Sequence, residues 1–173
     1  VNRDVGLDFS AALRSILRQA PNVVMIGEIR DAETADIAME AALTGHLVFS
    51  TLHTNDAPSA VARLVDIGVQ PFLVASSIRA IMAQRLVRRL CPHCKQPSDL
   101  SETEARALHI EPGQLGEAQV MRPVGCDKCR QTGYKGRLGI FEIFIIDDEV
   151  RHMINKRSST LLLRQRAREL GMR

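Results

Sequence analysis

The chain has 173 residues, 45% of them hydrophobic and only 3% aromatic, with no Trp, one Tyr and a net charge of +3 from 23 basic and 20 acidic residues. That length suits one domain or one and a half, and that composition supports an aliphatic core rather than a disordered chain. So few rings speak against a base-stacking nucleic-acid platform, and so small a charge implies by itself neither a nucleic-acid nor a membrane partner.

No apolar run approaches the roughly 20 residues of a membrane span, and no signal peptide opens the chain, so a cytoplasmic location is expected. The first residues, Val1-Asn2-Arg3-Asp4, carry no initiating Met, and we expect a piece of a longer protein. Phe9, Leu13, Ile16, Leu17 and Ala20 form one stripe, which predicts a helix over 8–19 with Asp8 as N-cap and Pro21 closing it. Val23-Val24-Met25-Ile26 predicts a strand buried on both faces, ended by Gly27 and followed at once by the carboxylate of Glu28. Open α/β sheets bind ligands at the carboxyl edge, where this acid falls. The bland reading is a strand whose flanking acid is merely solvated.

Asp31 predicts the N-cap of a helix over 32–43, closed at Gly45. Residues 46–52 read as a second strand, 53–56 as a polar turn, and Asp56 with Pro58 starts a helix over 57–67. Pro71 starts another, with Phe72, Ala75, Ile78, Ile81 and Met82 on one face, expected to reach about residue 86. Helices alternating with strands over short links imply an α/β layered domain with parallel strands. From Cys91 to Cys129 the composition turns polar, with one short helix over 102–108 capped by Ser101 and Glu104. Residues 140–146 then predict a strand interrupted only by Glu142, and two helices follow, over 147–155 and 160–170, the second ended by Gly171. We expect divisions at 1–90, 91–136 and 137–173.

Cys91-Pro92-His93-Cys94 and Cys126-Asp127-Lys128-Cys129 are two C-x-x-C knuckles, and they contain all four cysteines. Two such pairs complete a tetrahedral zinc site, and four sulfurs leave no position open for water, so the site is expected to be structural. His93 is the rival ligand, read as supporting or exposed, and a thioredoxin-like redox pair is the alternative. Zinc on four thiolates lowers the net charge from +3 to about +1. Arg85, Arg88, Arg89 and Lys95 surround the first knuckle. They suit a phosphate or an acidic surface, although for Arg88 and Arg89 a solvated face is preferred. His46 and His53 bracket the second strand, seven residues apart, which points them to opposite faces and speaks against a shared metal. His53 shares the sheet edge with Glu28 if the strands are parallel, and there Thr51 and Thr54 are placed to assist it. His46 reads equally well as a satisfied structural residue.

Val23 to Asp31 followed by Ala32-Glu33-Thr34-Ala35 resembles the Walker B segment of secretion ATPases. Thr44-Gly45-His46 through His53-Thr54-Asn55 is similar to their His box, and Ala83-Gln84-Arg85-Leu86 with the two knuckles is similar to their tetracysteine insertion. In this order the three resemble the type II secretion and type IV pilus assembly ATPases of bacteria, most clearly over residues 7–146. The resemblance implies the C-terminal half of a RecA-like P-loop NTPase core, incomplete here, with an inserted zinc subdomain and C-terminal helices. It implies a homo-hexamer on the cytoplasmic face of the inner membrane, bound there through secretion or pilus platform proteins, with no direct nucleic-acid contact. It implies ATP and magnesium as cofactors. Carried over by residue, Glu28 holds or polarises water, His53 and His46 match the His box, and Arg30 and Thr51 join Glu28 and His53 around the nucleotide. Cys91, Cys94, Cys126 and Cys129 match the zinc ligands. No G-x-x-x-x-G-K-[ST] loop occurs in the 173 residues, so the longer protein is expected to be the ATPase and this piece alone inactive. The rival from another class is a non-enzymatic zinc-stabilised module that binds a partner or nucleic acid.

Overall fold

The computed structural model describes residues 8–108, 110–111, 115–116 and 118–172. Two compact units divide the chain: Val1–Gln84 with Phe141–Arg173, and Arg85–Ile140.

The first unit is an α/β layer. Its elements are α1 (Phe9–Leu17), β1 (Val23–Ile26), α2 (Ala32–Leu43), β2 (Leu47–Ser50), α3 (Ala57–Ile67), α4 (Pro71–Ser77), α6 (Asp148–Asn155) and α7 (Thr160–Glu169). Asp31, Asp56 and Asp147 each cap a helix by accepting a backbone N–H three residues on, from Thr34, Ser59 and Val150. Gly45 and Gly68 follow α2 and α3 at φ 104° and 120°, where a Cβ would be strained. These local signals put α2 and α3 within the expected bounds.

β1 and β2 pair in parallel, Val23 with Leu47 through Ile26 with Ser50. Expected burial on both faces of β1 is corrected: Val24 and Ile26 are buried, but Val23 is 55% and Met25 75% exposed. One face of the pair joins the helical core, and the other, with Leu47 and Phe49, stays open among the described residues. A continuous apolar run reveals no difference between covered and uncovered faces. The α1 stripe is corrected likewise. Ser10 and Leu13 are buried, Phe9 and Ile16 are about half exposed, and Ala20 lies beyond the helix at φ 51°.

The largest correction concerns α4. It ends at Ser77, and β3 (Ala80–Leu90) follows where a continuing helix is expected. Its partner is β6 (Tyr134–Ile145), longer than the expected strand by its Tyr134 start. Ala, Met, Gln, Arg and Leu favour helix locally, yet pairing with β6, which carries β-branched and aromatic residues, wins. Both strands contribute residues to each unit. The apolar cluster of the first unit gathers Val24, Ile26, Ala35, Leu64, Val74, Phe144, Val150 and Leu163, with Phe144, Val74 and Val150 at 0% exposure.

The second unit contains β4 (Gln96–Pro97) antiparallel to β5 (Met121–Arg122), α5 (Glu102–Ala107) and a 3-10 turn over Asp127–Cys129. The expected capping box forms: Ser101 N–H donates to Glu104 at 3.0 Å and Glu104 N–H to the Ser101 hydroxyl at 3.3 Å.

Candidate functional sites at the sheet edge and the cysteine cluster

Parallel pairing carries the residues after β1 and after β2 to one carboxyl edge. Pairing continues past the strands, since Ile29 N–H donates to the Thr51 carbonyl at 3.0 Å and the Thr51 hydroxyl to the Gly27 carbonyl at 2.6 Å. Between these bonds the Glu28 carboxylate meets two cations or donors at once. One oxygen takes the Arg30 guanidinium, and the other lies 3.0 Å from His53 Nε2. An ionised carboxylate only accepts, so Nε2 carries the hydrogen of that bond.

Arg30, then His53, hold the Glu28 carboxyl below the usual carboxylate range, against a smaller opposing effect of burial. The acid is therefore ionised at neutral pH. It is about one-third exposed, while Arg30 and His53 are 74% and 87% exposed. Ion pairs this open add little to stability. The cluster instead presents a fixed anion, a guanidinium, an imidazole and a hydroxyl to solvent. That set can orient a water through the carboxylate and contact an anionic ligand through its cationic flanks.

The structure brings Glu28, Arg30, Thr51 and His53 together. It leaves His46 elsewhere, at the start of β2 rather than its exit. The His46 ring bonds the Ala41 carbonyl at 3.0 Å and lies 3.3 Å from the Thr44 hydroxyl, closing the C-terminal end of α2. Thr54 donates to the Asp56 carbonyl at 3.2 Å, so it braces the turn instead of facing Glu28.

In the second unit the four cysteine sulfurs all lie within 4.8 Å of one another. The pairs Cys91–Cys126, Cys94–Cys129 and Cys126–Cys129 are 4.0, 3.8 and 3.8 Å apart. A tetrahedron of zinc–sulfur bonds of about 2.3 Å has an edge of about 3.8 Å, so the donor set fits such an ion. Cys91 and Cys129 are buried, and all four cysteines are free. Burial pushes the Cys94 thiol up to about 11. The same burial acts on Cys129, but the backbone N–H groups of Cys126 and Gly133 draw it down to about 6. Four thiolates held this close repel one another, and a divalent ion bound among them would offset that charge. His93 is exposed, as one of its two readings has it. Arg88 and Arg89 are exposed, as the preferred reading has it, and the Arg88 guanidinium also lies over the Tyr134 ring, 3.9 Å from its centroid.

Sequence reasoning missed the backbone donors that fix the sulfurs. Gly125 N–H donates to Cys94 at 3.3 Å, Cys126 N–H to Cys129 at 3.2 Å and Gly133 N–H to Cys129 at 3.2 Å. Gly133 sits at φ 75°, and a Cβ there meets Pro123 at 2.5 Å. The spacing Gly125-Cys126 and Cys129-x-x-x-Gly133 is the signal available in the sequence.

The family profile described as Type II/IV secretion system protein matches residues 1–173. The type II secretion system protein HxcR of Pseudomonas aeruginosa is 53% identical over 173 residues, 100% of this chain and 33% of its own. The type IV pilus assembly ATPase TfpB of Acinetobacter baylyi is 48% identical over 172 residues, 99% of this chain and 29% of its own. The crystal structure of the pilus retraction motor PilT with bound ADP is 27% identical, with a TM-score of 0.57 over 94% of this chain and 36% of that one. The chain thus has the α/β fold of such ATPases and spans about a third of the length of the curated relatives it matches.

Proposed function

The chain belongs to the type II/IV secretion system protein family, and on that footing we propose that it is the C-terminal part of an ATPase that powers type II secretion or type IV pilus assembly. The observation that carries the proposal is the Glu28–His53 contact of 3.0 Å at the carboxyl edge of two parallel strands. In this reading the strands are half of a RecA-like core. Magnesium-ATP, when bound there, supplies the phosphoryl group and the cation that offsets its charge.

The chain's own residues then divide the work. Glu28, kept ionised by Arg30 and His53, orients a water rather than storing a proton, since a depressed pKa makes it a weak base. His53, its Nε2–H given to Glu28, stands beside the space of the terminal phosphate, which Arg30 and Thr51 also border. His46 enters indirectly, by fixing the turn between α2 and β2. The four cysteines hold a structural zinc. The working protein is a homo-hexamer on the cytoplasmic face of the inner membrane, attached through platform proteins. No helix among the described residues is long and apolar enough to cross a membrane.

Glu28→Gln in the full-length protein tests this. Hydrolysis falls by about 100-fold or more while ATP affinity stays within about threefold, because the amide keeps the shape and loses the charge. Loss of binding along with turnover overturns the role given to Glu28. The 173 residues alone, lacking a Gly-rich phosphate loop, release no phosphate above background in the same assay.

A further inference from the structure

A charge inside an apolar strand, a helix cap and an arginine on the last helix converge on one place. Glu142, the sole interruption of the run in β6, accepts the Ala57 N–H at 3.2 Å at the start of α3. Asp56, the cap of α3, accepts the Ser59 N–H with one oxygen at 2.9 Å. Its other oxygen takes Arg164 of α7 at 2.7 Å. Capping needs only the first of these bonds. The second comes from 108 residues away, and its side chains are only 22% and 35% exposed.

The loop that ends at Asp56 is the one that carries His53. It begins at Thr51, pinned to Gly27 and Ile29 beside Glu28. Its other end is Asp56, pinned by Arg164, with Thr54 bracing the turn onto the Asp56 carbonyl. His53, between these ends, is 87% exposed, so packing does little to fix its ring. Where the loop's two ends are held therefore bears on its distance from Glu28. One end is held at the sheet, and the other meets both the buried start of α3 and Arg164 of α7.

We propose that Arg164 is a positioning residue for the sheet-edge site: by holding Asp56, with Glu142 supporting the same helix start, it fixes the His53 loop and thereby the His53–Glu28 contact. This rests on the reading of Glu28 and His53 given above. Arg164 touches no ligand in this scheme. An ordinary tie between α3 and α7 differs from it in a measurable way, because it affects folding without acting through His53.

The test is a cycle of variants in the full-length ATPase, His53→Ala, Arg164→Gln and the two combined, assayed for ATP hydrolysis. Arg164→Gln lowers kcat by about tenfold with KM within about twofold, since a small misplacement of a reacting group costs turnover more than binding. The double variant is within about twofold of His53→Ala, because the second change acts through a residue already removed. Arg164→Lys restores kcat to within about threefold of the parent, because a cation again meets Asp56. In parallel, amide exchange over residues 52–55 speeds up by about tenfold or more in Arg164→Gln while α7 keeps its protection. If Arg164→Gln does not fold, Asp56→Asn replaces it, since the amide oxygen still caps α3 and only the charge facing Arg164 is gone. Independent, multiplying losses, or an unchanged kcat in Arg164→Gln beside a lowered one in His53→Ala, overturn this inference and leave the proposed function standing. An unchanged kcat in His53→Ala overturns both.

Discussion

The two units differ in how much apolar side chain they bury. In the first, a buried apolar cluster runs from Leu13 through Leu64 and Phe144 to Ala167. In the second, among the described residues, the buried hydrophobic side chains are Cys91 and Cys129 alone. Leu86, Leu108, Val124, Leu138 and Ile140 lie in the same unit and are half exposed or more. A stretch this short and polar cannot gather enough apolar surface to offset the entropy of ordering its loops. A shared ion can do so, because its binding energy becomes folding energy. In the proposed reading, the cysteine cluster with its ion takes the place that Phe144 and its neighbours occupy in the first unit.

Metal removal is the strongest attack on that contrast. Zinc in small structural sites contributes apparent binding energies of about 10–16 kcal/mol, far above the net stability of a domain. We expect a chelator, or Cys91→Ser, to abolish amide protection and protease resistance over residues 85–140. Protection of α2 and α3 stays. Hydrogen exchange read by mass spectrometry separates the two regions in one experiment. A second unit that keeps its protection after metal analysis reads zero ends the idea that sulfur and metal stand in for a core.

The complementary attack falls on the first unit. Phe144 is fully buried, and Phe144→Ala is expected to cost about 3–5 kcal/mol. Denaturant unfolding of the first unit reports it as a lower midpoint at unchanged slope. Leu138→Ala, at a position 58% exposed in the second unit, is expected to change stability by under about 0.5 kcal/mol. Equal costs at the two positions contradict the contrast.

What could be read from the sequence follows the same division between local and distant causes. The bounds of α2 and α3 were legible because Asp31, Asp56, Gly45 and Gly68 act within a few residues of themselves. The cysteine cluster was legible because ligand spacing is a local constraint. The shared edge of Glu28 and His53 followed from two strand ends and the rule that short crossovers give parallel pairing. By contrast, β3 takes its conformation from β6, some fifty residues on, and no pattern within residues 78–86 records that. The uncovered face of β1 depends on what packs against it. Arg164 reaches Asp56 across more than half the chain, so neither residue announces the other. His46 carried two readings, a motif position and a satisfied structural residue, and the bond of its ring to the end of α2 depends on a turn that neither reading specifies.

The smallest expected effect is electrostatic and lies in the second unit, outside the metal cluster. Glu104 is held at about 2, first by the Arg122 guanidinium and then by the Ser101 hydroxyl and backbone N–H. A folded-state pKa below the usual value near 4.5 means that this contribution is complete above pH 4.5 and is lost as pH falls toward 2. Its sign is thus the same as that of metal release, which acid also drives by protonating thiolates. Whole-domain unfolding cannot separate the two, but the carboxyl itself can. A carbon-detected NMR titration of Glu104 should give a midpoint well below the normal carboxylate range. Arg122→Gln removes the largest of its partners and leaves Ser101 in place, so the midpoint should rise but stop short of the ordinary value. Because both side chains of the pair are roughly two-fifths exposed, the rise is expected without a detectable change in the neutral-pH stability of the unit. A clear loss of neutral-pH stability in Arg122→Gln means that this unit draws on its surface charges as well as on its sulfurs, and the contrast with the first unit is then one of degree.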